Sequence, residues 1–261
     1  MAITIQRQKK HLKSIGKSML RHLQAYYDTL DAEELRRFRV QVKKLKALLA
    51  MVQHESTAIN GSKNLKLIRS VYQHAGQIRS GHLHLALLEK YTLATPAFMQ
   101  LLENTVKRET DEFNTCHKDY LKLLRKQFKS LNGVLQEVKG RVVLVRYKKQ
   151  LKHLDHFFVK AYWTPEKLHK SRKKIKNLMY LYGILPKSLT RKLCLNIDYL
   201  DQLQEILGAW HDVRATFEWL KKEGVVKGRG LVKLQQEEEH LIHSVRDYTR
   251  GFAQKVMLKG N

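Results

Sequence analysis

The chain has 261 residues, with 50 Lys plus Arg against 24 Asp plus Glu, a formal net charge of +26, and 13 His that hold further charge in reserve. That length suits one large domain or two small ones around a shared core, and it excludes any need for a disulfide or metal staple; Cys116 and Cys194 have no partner spacing and read as free thiols of a reducing compartment. The basic start lacks the apolar segment of a secretory signal and the longest uncharged run, Tyr91 to Leu102, is too short to cross a bilayer, so the expectation is a soluble cytoplasmic protein with a polyanionic partner and no membrane.

Leu, Lys, Glu, Gln and Arg dominate, prolines number only 3, and no sustained apolar–polar alternation marks a strand, so an all-α fold is expected. The first helix spans about 4–28. Asp31-Ala-Glu-Glu34 has a capping-box pattern and opens the second, about 32–54. Asn60-Gly61 is a turn before the third, about 63–90. Thr95-Pro96 places a cap before a proline at the first helical position and opens the fourth, about 96–131. Asn132-Gly133 ends it, and a fifth follows over about 136–161. Thr164-Pro165 opens the sixth, about 165–184. The seventh, about 187–222, ends at Glu223-Gly224, and Lys227-Gly228 precedes the eighth, about 229–257.

The sequence repeats itself weakly. Residues 34–46 line up with residues 167–179, so that Arg36 falls on His169, Arg39 on Arg172 and Lys43 on Lys176, an offset of 133. Gly76-Gln-Ile-Arg79 matches Gly208-Ala-Trp-His211 at an offset of 132. Two helical halves of four helices each explain both alignments.

Four helices carry cations at the 3–4 spacing of a helix face. In the second, Leu35, Phe38, Val42, Leu45 and Leu49 form the apolar stripe, and Arg36, Arg39, Lys43 and Lys46 follow one residue later, rotated about 100°. The first helix has Arg7, Lys10, Lys17 and Arg21, with Lys13 beside the gap at Ser14. The fifth has Arg146, Lys149, His153, His156 and Lys160. The sixth has His169, Arg172 and Lys176. Like charges one turn apart destabilise a helix by a few tenths of a kcal/mol, so stripes of one sign on four helices point to an anion that threads them.

These residues resemble the CHAD family, the conserved-histidine α-helical domain, whose halves each open with a pattern like H-x-x-R-x-x-x-K/R-x-x-R. His169-Lys-Ser-Arg172-Lys-Lys-Ile-Lys176 matches it well, and Arg36-Arg-Phe-Arg39-Val-Gln-Val-Lys43 is its first-half counterpart. The Gly and short polar motif that follow in the family are similar to Gly208-Ala-Trp-His211-Asp212 and, more loosely, to Gly76-Gln-Ile-Arg79. Arg36 in place of His, Ser80 and His82 in place of acidic residues, and Met179 in place of a basic residue mark a divergent member. The resemblance implies two pseudo-symmetric four-helix bundles, about 1–132 and 133–261, with a basic groove or pore between them. It implies non-catalytic binding of inorganic polyphosphate through the four stripes with Arg79 and His211, association with polyphosphate granules, and no cofactor. The charge alone fits nucleic acid equally well, although helix-turn-helix, zinc-ligand and RNP-like signals are missing from the sequence.

Other constellations weigh less. His82-Leu-His84 lie two apart and face away from each other on a helix, so a metal pair is not expected. Glu166-Lys-Leu-His169 and Glu237-Glu-Glu-His240 lack the two further inward carboxylates of a di-iron bundle. Asp155 beside His153 and His156 has no nucleophile or Gly-rich phosphate loop to serve. Trp163, Trp210 and Trp219 read as core or interface, and no catalytic site is expected.

Overall fold

The apolar stripe of the second helix lies where its spacing demands. Leu35, Phe38, Val42, Leu45 and Leu49 are each at most 1% exposed, and removing such side chains from water stabilises the fold by about 1.5–3 kcal/mol apiece. The structure is a computed structural model that describes residues 1–53, 65–160, 162–225 and 228–258. Among these, the chain forms eleven α-helices and one pair of two-residue strands, β1 (Ala2–Ile3) and β2 (Val138–Lys139). None of these helices is long and apolar enough to cross a membrane. Both cysteines are free.

The residues divide into two compact units. The N-terminal unit comprises Ala2–Ala86 and Ala94–Val138. It holds α1 (Ile5–Thr29), α2 (Ala32–Gln53), most of α3 (Lys66–Tyr91), α4 (Pro96–Thr115) and α5 (His117–Leu131). The α1 and α2 helices pack along each other. Leu12, Ile15, Met19, Leu23 and Tyr26 of α1 are buried, as is the stripe of α2. Thr4 caps α1 by accepting from the Arg7 N–H, and Leu30 closes it in the left-handed region at φ 57°. Asp31 accepts from the Glu33 N–H at 2.8 Å, so the first half of the capping box forms one position early. Glu34 does not reach back to close the box. Its carboxylate turns to His22 Nδ1 at 2.6 Å and to Arg37 at 2.8 Å, tying α2 to α1.

The expected fourth helix is two helices. The chain breaks at Cys116, and α5 then sets His117 on the Tyr27 ring at 3.8 Å, beside a cluster of Tyr26, Phe113, Tyr120 and His74. Aromatic packing wins over helix continuity there. Asn132-Gly133 forms the expected turn as one turn of 3₁₀ helix. Asn60-Gly61 lies outside the described residues, as does Lys227.

The C-terminal unit comprises Lys139–Asn261 with Met1 and Leu87–Leu93. It holds α6 (Gly140–Phe158), α7 (Pro165–Tyr182), α8 (Lys187–Leu193), α9 (Ile197–Lys222), α10 (Arg229–Thr249) and α11 (Phe252–Lys255). Thr164 accepts from the Lys167 N–H with Pro165 next to it, the capping read from the sequence. Tyr147 donates to the Leu178 carbonyl at 2.8 Å and fixes α6 on α7. Trp210, 1% exposed, is core as expected, whereas Trp163 is half-buried on Phe157.

Two further helices are shorter than expected. Residues 187–222 split where Cys194 takes φ 44°, and Asn196 then caps α9 by accepting from the Tyr199 N–H. The C-terminal tail explains the break: Leu258 donates to the Cys194 carbonyl at 2.7 Å, and Asn196 donates to the Val256 carbonyl at 2.9 Å. Residues 229–257 split at Gly251, whose φ of 71° ends α10 as a glycine readily does.

Candidate functional site

Each unit places basic side chains at the contact between a motif helix and the glycine-bearing helix that follows in the repeat. In the N-terminal unit that pair is α2 and α3. Arg39 Nη1 donates to the Tyr72 carbonyl at 2.5 Å, and the guanidinium lies 4.1 Å from the centre of the Tyr72 ring. Its Nη1 fills the space a side chain at position 76 would occupy, so Gly76 permits the approach. Lys46 Nζ lies 4.3 Å from the same ring centre. Contacts of this kind are worth about 0.5–1 kcal/mol each at exposed sites.

The electrostatics are those of crowded like charge. Burial pushes the Arg39 guanidinium below its ordinary value, and Arg79 adds to that against the opposing effect of Tyr72. Burial also lowers Lys46, followed by the charges of Arg69 and Arg39. Arg79 and Lys43 are half-buried. Arg36 departs from the group: it forks onto Glu33 with bonds of 2.6 and 2.7 Å and keeps 51% of its side chain exposed.

On α1, Arg7, Lys10, Lys13, Lys17 and Arg21 are all exposed. His11 is half-buried on the same helix. Loss of solvent lowers its pKa first, and Lys44 of α2 and Arg7 of α1 lower it further.

In the C-terminal unit the pair is α7 and α9. The rings of His169 and His211 lie 4.5 Å apart, tilted by 35°. A side-chain carbon at Gly208 would meet Arg172 Nη2 at 4.0 Å, an ordinary contact distance. Lys176, on the same helix, is half-buried. The structure therefore brings His169, Arg172 and His211 together.

The α6 row behaves differently. Arg146 is half-buried and held below its ordinary value by burial. It lines a 130 Å³ cavity with Gln150, Lys174 and Asn177 over Leu178 and Leu181. Lys174 and Asn177 sit on a different face of α7 from His169 and Arg172, given about 100° per residue. Lys149, His153 and His156 are exposed. Lys160 lines a second cavity of 430 Å³ with Phe158, Val159, Arg246, Thr249 and Arg250. The row read as one stripe thus divides between two cavities and solvent.

Sequence reasoning missed Tyr72, Arg69, His11, Lys44 and Lys174. Tyr72 had one signal: it stands one turn before Gly76, already singled out by the repeat.

His74, Glu109 and Glu112 form one His–carboxylate group among the described residues, with ligand atoms within 4.8 Å of one another. Arg108 pairs with both carboxylates, at 3.3 and 3.9 Å. The ring nitrogens of His74 are hydrogen-bonded to the Tyr120 hydroxyl and the Glu109 carbonyl. The group reads as a tie between α3, α4 and α5.

Residues 14–221 match the CHAD domain family. The chain belongs to the CHAD family. The matched segment contains both cation clusters and leaves out Arg7, Lys10 and Lys13. The fold is similar to the crystal structure of the CHAD domain from the plant Ricinus communis, with a TM-score of 0.63 at 14% identity, covering 94% of this chain and 90% of that one. No curated protein matches the chain in sequence.

Proposed function

We propose that this CHAD protein binds inorganic polyphosphate without catalysing its turnover. The supporting observation is that repeat-equivalent arginines, Arg39 and Arg172, each lie near a glycine of the next motif, Arg39 with Lys46 on the Tyr72 ring and Arg172 on the helix of His169, whose ring lies near His211. Arginine offers a planar fork to phosphoryl oxygens, lysine a point charge, and protonated histidine a donor that answers to pH. Polyphosphate has about one negative charge per unit and no base edge to read, so charge placement alone is sufficient for its recognition. Binding releases counterions and weakens steeply with salt, as for other linear polyanions. On this reading the protein accompanies polyphosphate granules in the cytoplasm.

The test is competition. Labelled long-chain polyphosphate bound to the protein is challenged with excess double-stranded DNA and then tRNA. The expected result is displacement by unlabelled polyphosphate well below the nucleic-acid concentration that achieves it. Equal displacement by DNA or tRNA would transfer the reading to a nucleic-acid-binding protein.

A further inference from the structure

On α3, Arg69, Tyr72, Gly76 and Arg79 stand at i, i+3, i+7 and i+10, one face of a helix. That face meets the α2 face carrying Arg39 and Lys46. The Tyr72 ring contacts both cations, which places them within about a Debye length of each other at physiological salt. The Tyr72 carbonyl holds Arg39 by a second, independent contact. The other half of the repeat supplies an internal comparison: Gln204 stands where Tyr72 does, and Met179 where Lys46 does. The aromatic ring and its lysine thus occur together in one half and are both replaced in the other.

We propose that Tyr72 is the positioning residue of the N-terminal anion site, holding Arg39 and Lys46 as a preformed pair to which Arg69 adds a third charge for phosphoryl oxygens. The proposal rests on the polyphosphate reading. Long cationic side chains lose rotamer freedom when they clamp a ligand, and a ring that already orders them removes part of that loss. The ring does so without a carboxylate, which would compete with the anion. The ring orders cations and is not itself a basic group, so its contribution differs in kind from theirs: it sets affinity without setting the number of counterions released.

The experiment uses the full chain with Tyr72→Phe, Tyr72→Leu and Arg69→Gln. Two quantities are read: long-chain polyphosphate affinity across a series of salt concentrations, and the NMR shifts of the Lys46 and Arg39 side-chain methylenes in the free protein. The wild type and Tyr72→Phe should show upfield ring-current shifts that Tyr72→Leu lacks. Tyr72→Leu should bind about tenfold more weakly with an unchanged log–log salt slope, Tyr72→Phe should bind as the wild type does, and Arg69→Gln should lower the slope by about one. Wild-type affinity in Tyr72→Leu, or failure of phenylalanine to rescue, overturns the positioning role. An unchanged slope in Arg69→Gln overturns the third charge. If the wild type does not bind polyphosphate, the functional reading falls with the affinity arm, while the ring-current arm still decides whether Tyr72 sets the two cations.

Discussion

Arg39 lies against the bare Cα of Gly76, its Nη1 in the space that a side chain there would take. At the repeat-equivalent position, Arg172 Nη2 stays 4.0 Å from where a side chain at Gly208 would begin. The two glycines therefore answer differently to the same change. Alanine is favoured over glycine in a helix interior by about 0.5–1 kcal/mol. Gly208→Ala should gain up to that amount. Gly76→Ala should be less stable than Gly208→Ala and should weaken polyphosphate binding, because the guanidinium must leave the Tyr72 carbonyl and ring. Denaturant unfolding of both variants decides it, and a Gly76→Ala protein as stable as Gly208→Ala would refute the close approach.

The tie between α1 and α2 gives a second expectation. Glu34 keeps 13% of its side chain exposed and bonds to His22 at 2.6 Å. That bond first, and Arg37 with it, hold the Glu34 carboxyl below its ordinary value. Removing the charge from a nearly buried, hydrogen-bonded carboxylate costs about 1–3 kcal/mol. Glu34→Gln should therefore lower stability by about that much at pH 7. Glu33→Gln, at a side chain 37% exposed, should cost under about 1 kcal/mol. Urea midpoints compare them, and equal losses would contradict a special role for the His22 contact.

Stability should also fall in mild acid. Burial lowers the His84 pKa from 6.5 to about 4, and His82 and His11 are lowered as well. The folded state thus favours neutral imidazoles, and the unfolded chain takes up protons first as the pH drops. Stability present above pH 6.5 is lost progressively down to about pH 4, by at most about 2 kcal/mol at pH 5 for His84 alone, since solvent screens a partly exposed imidazole. Unfolding curves at pH 7 and pH 5 test this, and His84→Gln should flatten the difference. Undiminished stability of the wild type at pH 5 would show that these imidazoles are not sheltered.

The sequence made the helices and the α2 core stripe legible because hydrophobic period and capping residues are local signals. The breaks at Cys116 and Cys194 were not legible. One depends on His117 reaching Tyr27, and the other on the C-terminal tail bonding to Cys194 and Asn196. The arginine positions were found through the repeat, since Arg39 and Arg172 align at one offset. Tyr72 and Arg69 were missed because their helix face mixes an aromatic, a glycine and two arginines and carries no run of one sign. The α6 row shows the converse, a regular local signal whose surroundings are not local. Its spacing is regular, yet Arg146 and Lys160 line different cavities and the residues between them face solvent. Period reports which residues share a face, and neighbouring helices decide what that face meets.

On the proposed function, placement of charge, beyond its amount, binds the polyanion. The most direct measurement compares two proteins of equal net charge at one ionic strength. One carries Gln at Arg39, Lys43, Arg172 and Lys176. The other carries Gln at Lys118, Lys122, Lys126 and Lys129, four exposed positions on α5. The first should lose at least tenfold more affinity for long-chain polyphosphate than the second, with both remaining folded. Equal losses would mean that a diffuse basic surface, and no site, holds the chain.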